Sequence, residues 1–376
     1  MKTHPIADKI QHPRDWKKQL QLPRPRQLKI VNIPLKKHDI CLELQVPNVD
    51  PNPVRSEPIV LNSTHLGAST HVSAVQKAHL ELKVAMHPAA ASCQTFEEQS
   101  RAEVGVIERL FPGNLADSVR VCFVAWLAFV CTMDDILECL SPSDGEAVLY
   151  RCIGMLRNNH KTNTNGRVPD TEVERLTRLL YDHSRLHLPA DVCDVFFQAI
   201  CEVFQAHIAE FHFLDGQTDH DLSTYMSIRR QTIALGPFFE VIKYVHLPES
   251  WRRKPTWKKL QEEICSTAGL QNDLLGLEKD IENGDGLNSV LVLLRNEGVG
   301  NAYDGDPAMF AKCISIIVKM HNESAIRGAD CMEELLQPAG NVLPDSVVEV
   351  ARHLMLVCET HLAWCASAKR YMPRSE

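Results

Sequence analysis

The stretch VCTMDDILECL, residues 130–140, places Asp134, Asp135 and Glu138 at the end of an apolar run. On a helix, Asp134 and Glu138 stand four apart on one face, and Asp135 and Glu138 stand three apart. At 100° per residue, Val130, Leu127 and Phe123 fall beneath Asp134, so the acids cap an apolar stripe. Carboxylates this close repel one another unless a cation joins them. Mg²⁺ suits such a site because it takes carboxylate oxygens, keeps waters and commonly bridges to a substrate phosphate. A solvated acidic helix end would have the same composition, so the motif alone is ambiguous.

Two further groups change that. LQNDLLGLEKDIENGD, residues 270–285, spaces Asn272, Gly276 and Asp280 at i, i+4 and i+8, with Lys279 adjacent. An amide oxygen and a carboxylate two turns apart are able to hold a second hard cation. A charged helix surface accounts for Asp273, Glu278 and Glu282 equally well. SIRRQTIALGPFF supplies Arg229 and Arg230 before a Gly-Pro break, and HLAWCASAKRYMP supplies Arg370 and Tyr371. Arginine forks match phosphate geometry and a tyrosine hydroxyl adds a donor. Adjacent Arg229 and Arg230 cannot both face one site. Taken in order, two acidic metal candidates, two arginine sites and an apolar wall point to a diphosphate gripped through Mg²⁺ at the mouth of a greasy pocket.

The rest of the chain must position those groups. It has 376 residues, 44% hydrophobic and 23% charged, enough for a substantial core. The net charge of -8 is uneven: residues 1–38 carry ten Lys/Arg against two Asp/Glu, leaving an acidic body that argues against nucleic acid as the main partner. Thirteen cysteines without a C-x-x-C pair read as reduced and mostly buried, and residues 1–20 lack the apolar core of a signal peptide. The expectation is a cytoplasmic protein with no stable membrane insertion. The best spanning candidate, 121–131, falls short of the roughly 18 residues required and reads as a core helix.

Residues 1–60 hold nine of the 21 prolines within the first 58 positions and read as an irregular, basic N-terminal arm. Helical periodicity then predicts helices over 69–87, 96–110, 115–140, 145–157, 170–184, 190–213, 220–246, 254–282, 286–296, 307–336 and 344–371. Segments 142–147, 158–170 and 301–307 are turn-rich breaks. The expectation is a single all-α domain over 61–376, with no internal repeat.

These residues resemble the class I terpene synthases, and most closely the fungal sesquiterpene cyclases, over about residues 65–376. DDILE resembles the family's aspartate-rich D-D-x-x-D/E motif, NDLLGLEKD its N-D-x-x-S-x-x-x-E motif, RRQT its diphosphate-sensing arginine region and WCASAKRY its C-terminal W-x5-R-Y signature. The resemblance implies an antiparallel helical bundle around a central apolar cavity, with three Mg²⁺ ions. Asp134 would be the principal ligand of two, with Asp135 and Glu138 nearby. Asn272, the position of Gly276, and Asp280 would hold the third. Lys279, Arg370, Tyr371 and one of Arg229 or Arg230 would bind diphosphate, and Trp364 would line the pocket, with Phe123 a further candidate there. Two departures stand out: the family's serine is Gly276 here, and its glutamate is Asp280.

The implied reaction ionises a linear prenyl diphosphate, most simply farnesyl diphosphate, and cyclises the cation to a sesquiterpene. Geranylgeranyl diphosphate is the alternative substrate, and a non-catalytic isoprenoid-binding helical protein is the alternative of another class. A chain-elongating prenyl transferase would normally carry two aspartate-rich motifs, whereas the second motif here opens Asn-Asp. Either a monomer or a homodimer is compatible with the sequence.

Overall fold

The computed structural model describes residues 28–35, 37–49, 73–87, 93–111, 115–157, 171–298, 307–337 and 343–368. Within them the chain runs β1 (Leu28–Leu35), β2 (Ile40–Pro47), α1 (Ala74–Met86), α2 (Cys93–Leu110), α3 (Asp117–Leu137), α4 (Pro142–Arg157) and α5 (Glu172–His187). It continues through α6 (Ala190–Leu214), α7 (Leu222–Thr232), α8 (Gly236–His246), α9 (Glu249–Arg252), α10 (Pro255–Asn283), α11 (Ser289–Asn296), α12 (Pro307–Leu336) and α13 (Asp345–Ser367).

Two helices organise the bundle. From Val121 to Phe129, α3 is buried on every side, which is the pattern of a helix enclosed by others rather than laid on a surface. The 29-residue α10, about 44 Å long at 1.5 Å per residue, packs against α7, α8, α12 and α13. The larger apolar core lies between α3, α6, α8, α10 and α13. A second forms where α10, α11 and α12 meet the hairpin.

That hairpin corrects the expected irregular arm over residues 28–47. β1 and β2 pair antiparallel from Leu28 opposite Pro47 to Leu35 opposite Ile40. Leu42, Leu44 and Val46 alternate inward on β2 and are buried in the second core. The period of two is short, and the surrounding lysines and prolines mask it. Pro34 is exposed, as a residue without an N–H must be in an edge strand. Asn322 on α12 fixes the docking: its Oδ1 accepts from the Gln45 amide at 2.8 Å and its Nδ2 donates to the Glu43 carbonyl at 3.0 Å.

The segment expected as one helix over 220–246 is two. Ala234 sits in the left-handed region at φ 61°, which costs a residue with a Cβ about 1–2 kcal/mol. Pro237, in the first turn of α8, brings no N–H to continue the α7 ladder. The Ala234 carbonyl is taken instead by the Trp126 indole N–H at 3.0 Å. The apolar run compared above with a membrane span is also superseded. α6 is the one helix, among the described residues, long and apolar enough to cross a bilayer by composition. Two thirds of its apolar window (67%) is buried inside the protein, which marks it as a core helix.

The hairpin's docking gives a stability prediction. Leu44→Ala, at a fully buried position, is expected to cost about 2–5 kcal/mol in urea unfolding. Ile30→Ala on the same hairpin, at 60% exposure, is expected to stay within about 0.5 kcal/mol. Equal behaviour of the two would mean that the hairpin is not part of the core.

Candidate active site

A cavity of about 530 Å³ opens between the C-terminal end of α3, the α7–α8 break, the second half of α10 and the end of α13. Its wall grades from apolar to polar. Leu110, Leu127, Val130, Phe211, Phe238 and Trp364 form the apolar part. Asp134 and Glu138 stand on one side of the polar part, and Asn272, Gly276, Lys279 and Asp280 on the other. The spacing arguments therefore hold: Leu127, Val130 and Asp134 share one face of α3, and the i, i+4, i+8 set shares one face of α10. Asp135 does not join them. It lies about 100° round the helix from Asp134, is exposed, and is outside the cavity wall.

Arg229 lines the cavity and Arg230 does not. Arg229 Nε donates to Asp273 Oδ1 at 2.9 Å and its Nη2 to Asn272 Oδ1 at 2.6 Å. Its stem crosses α10 at Gly269, where an added Cβ would meet Arg229 Cγ at 3.1 Å. Arg230 turns back, its Nε donating to the Met226 carbonyl at 3.1 Å.

Asp273, which as sequence fits a charged surface equally well, is 1% exposed. It accepts from Arg229, from the Tyr225 hydroxyl at 3.0 Å and from the Ser289 amide at 3.0 Å. Burial opposes the charge on Arg229, and Asp273 more than offsets it, so the guanidinium stays charged. Glu278 is likewise buried and accepts from the Lys37 amide of the hairpin turn at 2.6 Å.

Asp280 lies back over Gly276. A Cβ on residue 276 would stand 3.2 Å from Asp280 Oδ2, so the carboxylate covers the ground a serine side chain would occupy. Asn288, the N-cap of α11, donates from Nδ2 to the same oxygen at 2.8 Å and to the Asp273 carbonyl at 2.7 Å. Burial pushes the Asp280 carboxyl up to about 7, with Asn288 pulling the other way and Asp285 and Asp273 adding repulsion.

Phe123 is a correction. It is fully buried one turn below Leu127, packed against Phe111 and Phe238 at ring distances of 5.4 and 4.9 Å, and is not in the wall. Phe238 takes the place expected of it, because the chain break before α8 turns that ring inward. Trp364 lines the cavity as expected, edge-on to His361 at 5.6 Å. Arg370 and Tyr371 lie outside the described residues. His207 and Glu210 of α6 are also in the wall, and none of the motifs pointed to them. Their i, i+3 spacing within an apolar helix was the available signal.

The donor set fits a hard cation. Its oxygens come from carboxylates and one amide, with no thiolate among them. Among the described residues no three His, Cys, Asp or Glu side chains gather closely enough to hold a metal alone. Ions bound here would need further oxygens from a ligand or water.

Comparison with known proteins agrees with this geometry. Residues 125–303 match the family model described as terpene synthase family 2, C-terminal metal binding. No curated protein matches the chain in sequence. Among solved structures, the linalool/nerolidol synthase of Streptomyces clavuligerus aligns with a TM-score of 0.60 at 15% identity, over 78% of this chain and 95% of that one. Hedycaryol synthase in complex with nerolidol aligns at 0.55 and 16%, over 77% and 93%. A point variant of cucumene synthase aligns at 0.57 and 19%, over 80% and 96%.

The raised Asp280 carboxyl has a sign that can be checked. A folded state that keeps this proton to about pH 7, against an unfolded state that loses it near pH 4, loses stability as pH rises between those values. With chelator present, Asp280→Asn is expected to stabilise the protein by about 1–3 kcal/mol at pH 8 and to change little at pH 4, in urea unfolding at both. No difference at pH 8 would place the carboxylate in contact with solvent. The fold that carries this site is the all-α fold of the class I terpene synthases.

Proposed function

We propose that this chain is a divalent-metal-dependent terpene synthase that ionises a linear prenyl diphosphate and guides the resulting cation to a cyclic terpene. One observation carries the reading: two oxygen-rich faces and a charged arginine converge on a cavity that Leu110, Leu127, Phe211, Phe238 and Trp364 also line. Such a cavity suits a molecule with one polyanionic end and one long hydrocarbon end. Its volume lies in the usual range for small-molecule sites, about 300–1,000 Å³.

Asp134 and Glu138 would hold Mg²⁺ on the α3 side, and Asn272 and Asp280 on the α10 side, with three ions in all on the family resemblance. Bound there, Mg²⁺ supplies positive charge that stabilises the departing diphosphate. Arg229 and Lys279 add donors to the same group, and Arg370 and Tyr371 would join them if they follow the family pattern. Their hydrogen bonds strengthen as charge moves onto the leaving oxygen, so they lower the barrier more than they tighten substrate binding. Asn272 is held by Arg229 and Asp280 by Asn288, so both oxygens stand ready before substrate arrives. Gly276 contributes no ligand, and the Asp280 carboxylate or a water would fill that position.

Beyond the ionised bond, the chain's task is to exclude water and shape the cation. Leu127, Val130 and Leu235 offer no nucleophile. Phe238 and Trp364 add aromatic rings, worth about 0.5–2 kcal/mol each to a nearby cation. Farnesyl diphosphate is the proposed substrate, on the resemblance to sesquiterpene cyclases.

The test is incubation with farnesyl diphosphate with and without Mg²⁺, reading diphosphate release and volatile products by gas chromatography–mass spectrometry. A cyclic C15 product formed only with Mg²⁺ is expected. Asp134→Asn is expected to lower turnover by about 10² to 10³-fold, while Cys193→Ser, buried in the core away from the cavity, should match the wild type. Product only from geranylgeranyl diphosphate would correct the substrate. Diphosphate released from neither substrate would leave a non-catalytic isoprenoid-binding protein.

A further inference from the structure

The cavity wall contains a buried acid–imidazole pair that ionisation does not use. His207 and Glu210 sit one turn apart on α6, at 4% and 8% exposure, and both line the cavity. His207 Nδ1 lies 2.8 Å from Glu210 Oε2. His207 Nε2 is buried with no hydrogen-bond partner among the described residues. A buried polar nitrogen is normally hydrogen-bonded.

The second histidine of the wall makes the contrast. His361 is buried, but its Nδ1 is engaged by Gln271 Oε1 at 2.9 Å and its Nε2 faces Cys365 Sγ at 3.6 Å. Burial pushes it down to about 3, so it stays neutral and occupied. His207 differs in both respects. Burial lowers the affinity of its imidazole for a proton, but the Glu210 carboxylate outweighs burial and raises it, with Asp134 adding to the effect. A carboxylate on Nδ1 and a free Nε2 are the arrangement of a general base: the acid fixes the tautomer and supports the imidazolium once formed.

We infer that His207, oriented by Glu210, is the proton acceptor that ends the cyclisation. This rests on the terpene synthase reading proposed above. In the step, a C–H bond next to the final cationic carbon breaks, and its electron pair becomes the new C=C bond. The proton passes to His207 Nε2. The positive charge moves from carbon to an imidazolium paired with Glu210, and the proton is lost to water after product leaves. The product class is therefore a cyclic olefin, and His207 decides which neighbouring C–H bond is broken. Glu210, which acts through His207, is a positioning residue.

The experiment measures olefin formed per diphosphate released, for wild type, His207→Gln and Glu210→Gln, with farnesyl and geranylgeranyl diphosphate as probes. Glutamine at 207 keeps a donor for Glu210 but offers no base. The share of turnover ending in the wild-type olefin is expected to fall about tenfold or more in His207→Gln, with regioisomers of its double bond in its place. Glu210→Gln, which keeps the hydrogen bond but loses the charge, should shift the same products in the same direction by less. It also carries the test alone if His207→Gln does not fold by circular dichroism. An unchanged product spectrum in folded variants that still release diphosphate would overturn the assignment while leaving the enzyme reading intact. Loss of an alcohol alone, with olefins unaltered, would overturn it too, making the pair a holder of water. A wild type that releases no diphosphate from either probe would instead sink the enzyme reading, and the proton acceptor with it.

Discussion

The Arg229–Asp273 ion pair is the constraint on which the rest of the site depends. Asp273 is 1% exposed, and a carboxylate in that position is tolerable only when charge and hydrogen bonds repay its lost hydration. Burial is the largest influence and pushes the Asp273 carboxyl up, and three groups work against it: the Arg229 guanidinium, the Tyr225 hydroxyl and the Ser289 amide. Asn288 adds a bond to the backbone carbonyl of the same residue. These partners come from α7 and the start of α11, so neutralising one carboxylate on α10 ties three helices together. Arg229 also lines the cavity, so on the proposed reading one side chain would serve both as a strut and as a donor to the substrate. Gly269 is part of this arrangement, because a Cβ there would crowd the arginine stem at 3.1 Å.

A second consequence follows from where the polar groups stop. From Val121 to Met133, α3 carries no charged side chain, and Phe111 and Phe123 pack behind the wall against Phe238. Charge is thus confined to one end of the cavity. The His207–Glu210 pair is the exception, a proton-accepting group set into the wall with its own counter-charge. Of the two wall histidines, His361 is engaged by Gln271, which leaves the His207–Glu210 pair as the base the proposal uses.

Much of this was legible because the relevant signals are local. Asp134 and Glu138, or Asn272, Gly276 and Asp280, share a face by helical geometry alone, and their order along the chain needs no tertiary knowledge. The helices over 190–214, 255–283 and 307–336 lie within a residue of their expected limits because strong periodicity and Pro or Gly boundaries coincide there. The failures are of another kind. Whether Asp273 was a surface charge or a buried one depends on Arg229 and Ser289, 44 residues before and 16 after it. Phe123 shares the apolar stripe below Asp134, but Phe238 packs over it at 4.9 Å and is the ring in the wall. The hairpin was hidden by its own lysines and prolines, although Leu42, Leu44 and Val46 alternate as a half-buried strand should. Spacing shows which side chains share a face, but not what that face meets.

The two departures from the family pattern are best understood together. A serine at 276 and a glutamate at 280 would each bring an oxygen to the cavity from its own turn of α10. Here the shorter aspartate folds back over a glycine, and its carboxylate stands where the serine would be. A Cβ at 276 would stand 3.2 Å from Asp280 Oδ2, so the carboxylate would have to shift by a few tenths of an ångström. Asn288 completes the set by holding Asp280 Oδ2 while its own Oδ1 accepts from the Val290 amide. Because Asn288 also caps α11 and binds the Asp273 carbonyl, the position of this oxygen is linked to the buried ion pair two turns away. On the proposed reading, the α10 face would offer the Asn272 amide oxygen and the Asp280 carboxylate to a cation, with no side-chain oxygen at 276.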